Sequence, residues 1–186
     1  MASGKSTLAR RQSRACPVVL VHDPNGEDEA AAGAYVTDSS AELAALVIDA
    51  RGPLYVCWRG TGEAGLETLC RVGLARGDCA LLLDEVDLFT APGHAPPMMY
   101  RALHTGRHRG LSLYLCARRP NRLFRDATAL ATTITVFHST EPRDLKFLSE
   151  YMGEAAAAEV PGLAPYHAVV WTADGKWTVE DFTKKT

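Results

Sequence analysis

The first residues of this chain that could do chemistry are Gly4-Lys5-Ser6-Thr7. They match the second half of the pattern G-x-x-x-x-G-K-[ST], whose backbone N–H groups surround phosphates, whose lysine contacts the β- and γ-phosphates and whose hydroxyl holds Mg²⁺. The sequence therefore predicts a site for the phosphates of ATP, with Ser6 also a ligand of Mg²⁺. The predicted phosphate-binding residues are Ser3, Gly4, Lys5, Ser6 and Thr7.

The first glycine of this pattern, and the strand that normally leads into it, would fall before Met1. Because a hydrogen bond to a charged group contributes about 1.5–3 kcal/mol, we expect two lost N–H donors to weaken phosphate binding roughly a hundredfold or more. We expect weak or absent ATP hydrolysis by residues 1–186. Three explanations are open: a reading frame that begins upstream of Met1, a decayed gene, or a sheet whose flanking strands close up over the missing one.

A second chemical feature is the acidic pair Asp84-Glu85, which directly follows the apolar run 80–83. A buried strand that ends in two acids is typical of a Walker B motif, in which the aspartate supports Mg²⁺ and the glutamate polarises the attacking water. Chance surface acids often follow an apolar strand, but the upstream Gly-Lys-Ser makes the pattern more specific. We predict that Asp84 is a metal ligand and that Glu85 is the catalytic base.

A third feature is a run of arginines with no Asp or Glu among them. Its members are Arg101, Arg107, Arg109, Arg118, Arg119, Arg122 and Arg125. A solvated basic face is one interpretation. Arginines that follow a strand can instead stabilise charge on a γ-phosphate, which makes Arg118 and Arg119 candidate catalytic residues. Arg107 and Arg109 precede the same predicted strand and suit a DNA backbone or a neighbouring subunit.

The bulk composition describes one globular domain, residues 1–186, with 47% hydrophobic and 23% charged residues. No apolar run approaches the roughly 20 residues that cross a bilayer, so we expect no membrane contact. The N-terminus is polar rather than a signal peptide, and five scattered cysteines without a C-x-x-C pair predict reduced, buried thiols. We therefore expect a cytoplasmic protein.

Strands and helices that alternate along the chain must position these groups. A helix leaves the phosphate-binding loop, from Ser6 to about Arg14, and Asp38-Ser39-Ser40 caps another that runs to about Asp49. Continuous apolar strands between helices favour an α/β fold with a mostly parallel sheet, helices on both faces and a C-terminal hairpin. The predicted strands are 17–22, 34–36, 54–57, 79–83, 111–116 and 133–137, the hairpin is 166–171 with 176–179, and the other helices are 63–76, 98–104 and 142–152.

Taken together, these motifs make the chain similar to the HerA–FtsK family of DNA-pumping P-loop ATPases, particularly its small phage-type members, the zonular-occludens-toxin-like and packaging ATPases. The stretches that carry the resemblance are 4–7, 21–27 with its Asp-Pro-Asn-Gly-Glu, 83–85, 106–110 with Arg119-Pro120, and 140–145. The resemblance implies a RecA/ASCE-like P-loop NTPase fold, ATP and Mg²⁺ as cofactors, and a hexameric ring that threads duplex DNA. It also implies DNA as a partner, through the region of Arg107 and Arg109.

The chain departs from that family at one sensor position. The family commonly has glutamine ahead of Arg-Pro, where this chain has Arg118, and a cation cannot accept a hydrogen bond from water as an amide can. Two alternatives to a motor stay open: a catalytically inactive phage-type interaction or assembly protein that keeps the fold, and a small-molecule kinase, which the Asp-Glu pair and Arg-Pro fit poorly.

Overall fold

The computed structural model describes residues 4–26 and 34–183. The chain divides into two compact units. The parallel-sheet unit comprises residues 6–90 and 94–117, and the hairpin unit comprises residues 1–5, 91–93 and 118–186. Each is described by itself below, and a single NTPase domain over 1–186 stays a prediction.

The parallel-sheet unit contains five strands whose neighbours all pair in parallel, in the order β2-β3-β1-β4-β5. Every residue of the central strands β1 and β4 is buried, which is why both read as continuous apolar runs rather than as alternating ones. The predicted parallel sheet is confirmed. The strands are β1 Val18–His22, β2 Tyr35–Thr37, β3 Leu54–Trp58, β4 Ala80–Leu83 and β5 Ser112–Leu115.

Helices cover both faces of this sheet. Ala9 of the first helix packs in a buried cluster with Val21 and Leu82. On the other face, a Cβ added to Gly73 of the third helix would lie 2.6 Å from the Leu81 side chain, so a larger residue there would displace that leucine. The Ser39 hydroxyl caps the second helix by accepting a hydrogen bond from the Glu42 amide, as predicted. The helices are α1 Lys5–Ser13, α2 Ser40–Ile48, α3 Gly62–Arg76 and α4 Pro97–Thr105.

The hairpin unit is built on a three-stranded antiparallel sheet in the order β6-β7-β8. Gly175, with φ of 81°, makes the predicted turn between the last two strands. Two helices bury Leu148, Met152 and Ala156 against Val169 of the central strand. The strands are β6 Thr133–Phe137, β7 His167–Thr172 and β8 Trp177–Asp181, and the helices are α5 Arg125–Ala129, α6 Pro142–Met152 and α7 Glu154–Glu159.

The strand β6 differs from the sequence expectation. Its position in the alternating pattern predicted a further parallel strand, whereas it pairs antiparallel with β7. A long connection through α6 and α7 returns the chain to β6, where the hairpin supplies the pairing partner.

Four of the five cysteines, Cys57, Cys70, Cys79 and Cys116, are buried, and Cys16 is partly exposed. Burial raises the pKa of Cys70 to about 12 and that of Cys79 to about 11, so both thiols stay protonated at neutral pH. Among the described residues, no helix combines the length and the apolar character needed to cross a membrane.

Candidate nucleotide-binding site

The phosphate-binding residues lie where the chain enters α1. Gly4 has a φ of 85°, a conformation that favours glycine, and a Cβ there would lie 3.3 Å from the Phe137 ring. Helix α1 begins at the next residue, Lys5, and has no acidic residue in its first turn. Backbone N–H groups at a helix start have no partner within the helix, and together with the helix dipole they attract anions. Ser6 is half-buried and Thr7 is exposed, whereas Ser3 lies outside the described residues.

The acidic pair lies at the carboxyl end of β4. Glu85 adopts a left-handed backbone conformation, with φ 51° and ψ 36°, directly after the strand. The Asp84 carboxylate accepts a hydrogen bond of 2.9 Å from the Glu85 amide, and the Val86 amide donates to the Cys116 carbonyl at 3.0 Å. These bonds fix the turn to the sheet, so both acidic side chains stay at its carboxyl edge.

Asn25 holds the carboxylate of Glu85. Its side-chain amide donates a hydrogen bond of 3.0 Å to Oε2 of Glu85, which is only 8% exposed. Asn25 lies in the turn that follows β1, and β1 neighbours β4 with His22 opposite Leu83. Parallel neighbouring strands therefore bring the turn and the acidic pair together. The sequence marked the Asp-Pro-Asn-Gly turn, but it gave no role to Asn25.

Together these residues line a cavity of about 10 Å³, which has room for one water molecule. We call it the acidic pocket; its lining residues are Asp23, Pro24, Asn25, Asp84 and Glu85. Among the described residues, no group of three or more acidic, histidine or cysteine side chains could hold a metal ion by itself. This donor set fits Mg²⁺, which keeps several waters and binds through one or two protein oxygens plus phosphates.

His22 contributes no positive charge to the acidic pocket. The ring is fully buried, and its Nε2 lies 3.0 Å from the Gly60 carbonyl, which only a protonated Nε2 can satisfy. Burial lowers the pKa of His22, although the Gly60 hydrogen bond and the nearby Asp23 and Asp84 act in the opposite direction. A neutral His22 therefore leaves the charge of these carboxylates available to a bound cation.

The two predicted γ-phosphate arginines have different surroundings within the hairpin unit. The Arg119 Nε donates a hydrogen bond of 2.8 Å to the buried Asp144 carboxylate, and its Nη2 lies 3.4 Å from Glu141. Arg119 thus has a structural ion pair, whereas the Arg118 side chain is exposed. Both γ-phosphate roles stay predictions.

Arg107 and Arg109 are exposed in the turn just before β5. Arg109 donates a hydrogen bond of 3.2 Å to the Ala75 carbonyl at the end of α3. Because β4 and β5 are parallel, this turn lies at the amino edge of the sheet, whereas Asp84 and Glu85 lie at the carboxyl edge. The two predicted functions are therefore separated within the same unit.

Comparison with known proteins identifies the fold. No family model and no curated protein matches the chain. Among solved structures, the genome packaging NTPase B204 from Sulfolobus turreted icosahedral virus 2 in complex with sulfate is 23% identical, with a TM-score of 0.80 over 99% of this chain and 94% of that one. The same NTPase in complex with AMPPCP gives a TM-score of 0.79 over 98% and 94%.

A related structure is that of B204, the DNA-packaging ATPase from Sulfolobus Turreted Icosahedral Virus. It is 20% identical and has a TM-score of 0.70 over 95% of this chain and 88% of that one. At these identities the likeness concerns the fold, and it extends over nearly the whole chain. The chain has the fold of these P-loop packaging NTPases.

Proposed function

We propose that this protein is a P-loop NTPase of the HerA–FtsK type that binds ATP with Mg²⁺ and hydrolyses it to move DNA, as in genome packaging. One observation carries the proposal: Gly4-Lys5-Ser6-Thr7 opens α1 and Asp84-Glu85 closes β4 in a fold shared with viral packaging NTPases. That combination supplies a phosphate-binding helix start and a Walker B pair to one nucleotide.

Each predicted residue has a defined role in this mechanism. Lys5 contacts the β- and γ-phosphates, while Ser6 and Asp84 hold Mg²⁺, and Thr7 lies beside the phosphates. When bound there, Mg²⁺ would supply positive charge that offsets the negative charge of the phosphates. Arg118, or Arg119 if its ion pair with Asp144 opens, stabilises charge on the γ-phosphate.

Glu85 orients and polarises the attacking water. The 8% exposure of Glu85 keeps bulk water away from the carboxylate, and the Asn25 hydrogen bond sets its direction. A general base works only when its oxygen is held within reach of the proton that it accepts. Asn25 is therefore a positioning residue that acts through Glu85.

The same proposal includes the partners and location. DNA contacts the region of Arg107 and Arg109, and several copies of the chain, six in a ring, surround the duplex. A membrane has no part in the proposal. Buried, protonated thiols suit a reducing compartment, and we propose that the protein is cytoplasmic.

Calorimetry with Mg-ATP, followed by a hydrolysis assay, tests the nucleotide part of this proposal. We expect weak binding by the wild-type chain that Lys5→Ala weakens further, and weak hydrolysis that Glu85→Gln lowers without loss of binding. No binding by the wild-type chain would contradict the proposal. Binding without any turnover would instead support the alternative of an inactive assembly protein that retains the fold.

A further inference from the structure

A second cavity, of about 430 Å³, lies between α3, α4 and the turn before β5. We call it the arginine cleft. Its polar lining includes Arg71, Arg101, Thr105, His108 and Arg109, and Leu74 forms part of its apolar floor. The three arginines are exposed and come from three different elements, so the fold gathers them from distant parts of the sequence.

The positive charge of the arginines in this cleft is not balanced by negatively charged side chains in the lining. No carboxylate is among the side chains that line it. The acidic residue one turn before Arg71 is Glu67, whose Oε1 accepts a hydrogen bond of 2.6 Å from the Met98 amide at the start of α4. That carboxylate thus serves the junction of the two helices. Like charges gathered in one cleft repel each other, and an anion bound between them removes the repulsion.

Arg109 is held in place before any ligand arrives. Its guanidinium donates to the Ala75 carbonyl at 3.2 Å, and its own carbonyl accepts a hydrogen bond of 2.8 Å from the Asp78 amide. Gly110 follows with a φ of 69°, where a Cβ would lie 2.1 Å from Asp78 Oδ1. Only glycine fits this turn, and a side chain that is already oriented loses less entropy on binding.

We propose that the arginine cleft binds backbone phosphates of duplex DNA. This inference rests on the proposed function, because it assumes that DNA is the partner, and it adds Arg71 and Arg101 to the contact surface. Guanidinium groups offer paired N–H donors that match phosphate oxygens, and contacts to the backbone position a protein on the duplex whatever the base sequence. The cleft is at the amino edge of the sheet, away from the acidic pocket, so one chain can hold DNA and nucleotide together.

The test measures binding of a fluorescent duplex of about 30 base pairs by anisotropy, between roughly 50 and 200 mM salt. The variant is Arg71→Gln with Arg101→Gln, and the matched control is Arg51→Gln, an exposed arginine outside the cleft. Two lost phosphate contacts lower the slope of log K against log salt by about 1.8. Across this fourfold salt range, the wild-type chain should lose about 12-fold more affinity than the double variant. The control should behave as wild type.

A second variant separates charge from shape. Arg71→Lys with Arg101→Lys keeps both charges, and we expect it to retain most of the salt slope that the glutamine variant loses. Circular dichroism melting of all variants checks that the exposed substitutions leave the fold intact. Equal slopes for the glutamine variant and the wild type, with both folded, would overturn the proposal.

Two further outcomes distinguish the sources of phosphate. If calorimetry with inorganic phosphate shows a loss in the glutamine variant while duplex binding is unchanged, the cleft is a small-anion site and the DNA proposal is wrong. A wild-type chain that binds no duplex at all overturns both the cleft and the DNA part of the proposed function. Nucleotide binding that depends on Lys5 would stand in either case.

Discussion

The acidic pocket and the arginine cleft lie at opposite edges of the same parallel sheet, and they are built in different ways. The acidic pocket is small and includes the buried residues Asp23 and Glu85, and the hydrogen bonds of Asn25 and Cys116 attach it to the strands β1 and β5. The arginine cleft is large, exposed and formed by side chains of helices and a turn. Rigid positioning suits a group that must meet one water molecule, whereas an exposed cationic surface suits a long polyanion.

Because of this difference, substitutions at the two sites should change different measured properties. Burial strengthens electrostatic interactions and shields them from salt, so changes at the acidic pocket should alter turnover with little dependence on ionic strength. Changes at the arginine cleft should alter DNA affinity and its salt dependence. The Glu85 and Lys5 variants below are therefore measured in both assays.

The largest effect is expected from Glu85→Gln. Removing a positioned general base lowers turnover by about 10²- to 10⁴-fold, while ATP affinity and duplex affinity stay within about twofold of wild type. The substitution keeps an oxygen that can accept the Asn25 hydrogen bond, so the pocket should keep its shape. Glu63→Gln, on the exposed start of α3, is the control. Unchanged hydrolysis by the Glu85 variant would show that the catalytic assignment is wrong.

The next largest effect is expected from Lys5→Ala on ATP binding. The loss of one charged contact to the phosphates, worth about 1.5–3 kcal/mol, should raise the calorimetric Kd for Mg-ATP by roughly 10- to 150-fold. Lys146→Ala, exposed on α6, should leave the Kd unchanged. Duplex binding should be the same for both variants. If Lys5→Ala also lowered the affinity for duplex DNA, the nucleotide site and the arginine cleft would not be independent.

The sequence predicted the central strands β1 and β4 well because every residue of both is buried. Every strand or helix boundary that was predicted from the sequence lies within two residues of the observed boundary. Asp84 and Glu85 were found for the same reason, since two acids after a fully buried strand stand out. The local sequence pattern was also enough to predict the Ser39 helix cap and the hairpin turn at Gly175.

The remaining features depend on which elements become neighbours, and local pattern does not determine that. The Asn25–Glu85 bond requires β1 beside β4, although β2 and β3 separate them in the sequence. The arginine cleft requires α3 against α4, which brings Arg71 to Arg101. The antiparallel pairing of β6 with β7 was missed for the same physical reason.

A smaller effect on turnover is expected from Asn25→Ala. Without its donor the Glu85 carboxylate loses orientation, and we expect kcat to fall about tenfold, or ~1.4 kcal/mol, with KM for ATP nearly unchanged. Asn25→Asp should be worse, because it places a second carboxylate against Glu85. Steady-state kinetics separate kcat from KM. If the alanine variant raises KM and leaves kcat alone, Asn25 acts on nucleotide binding rather than through Glu85.

The smallest effect concerns pH, and it compares a histidine from each region. Burial keeps the pKa of His22 below its ordinary 6.5 in the folded protein. Below about pH 6.5 the unfolded chain therefore binds a proton that the folded chain does not. The free energy of unfolding should fall as pH drops, by at most about 1.4 kcal/mol per pH unit from this group, while above about pH 7 the contribution stays constant.

Thermal melting between about pH 7.5 and 5.5 measures this slope. His22→Gln keeps an amide that can donate to the Gly60 carbonyl, and it should flatten the fall in Tm at acid pH. His108→Gln in the arginine cleft removes an exposed ring and should leave the slope as in the wild type. Equal slopes for all three proteins would mean that the pKa of His22 is the same in the folded and the unfolded protein. Below about pH 6.5 the ring would then carry a positive charge beside the acidic pocket, and the attraction of the pocket for a cation would be weaker at acid pH.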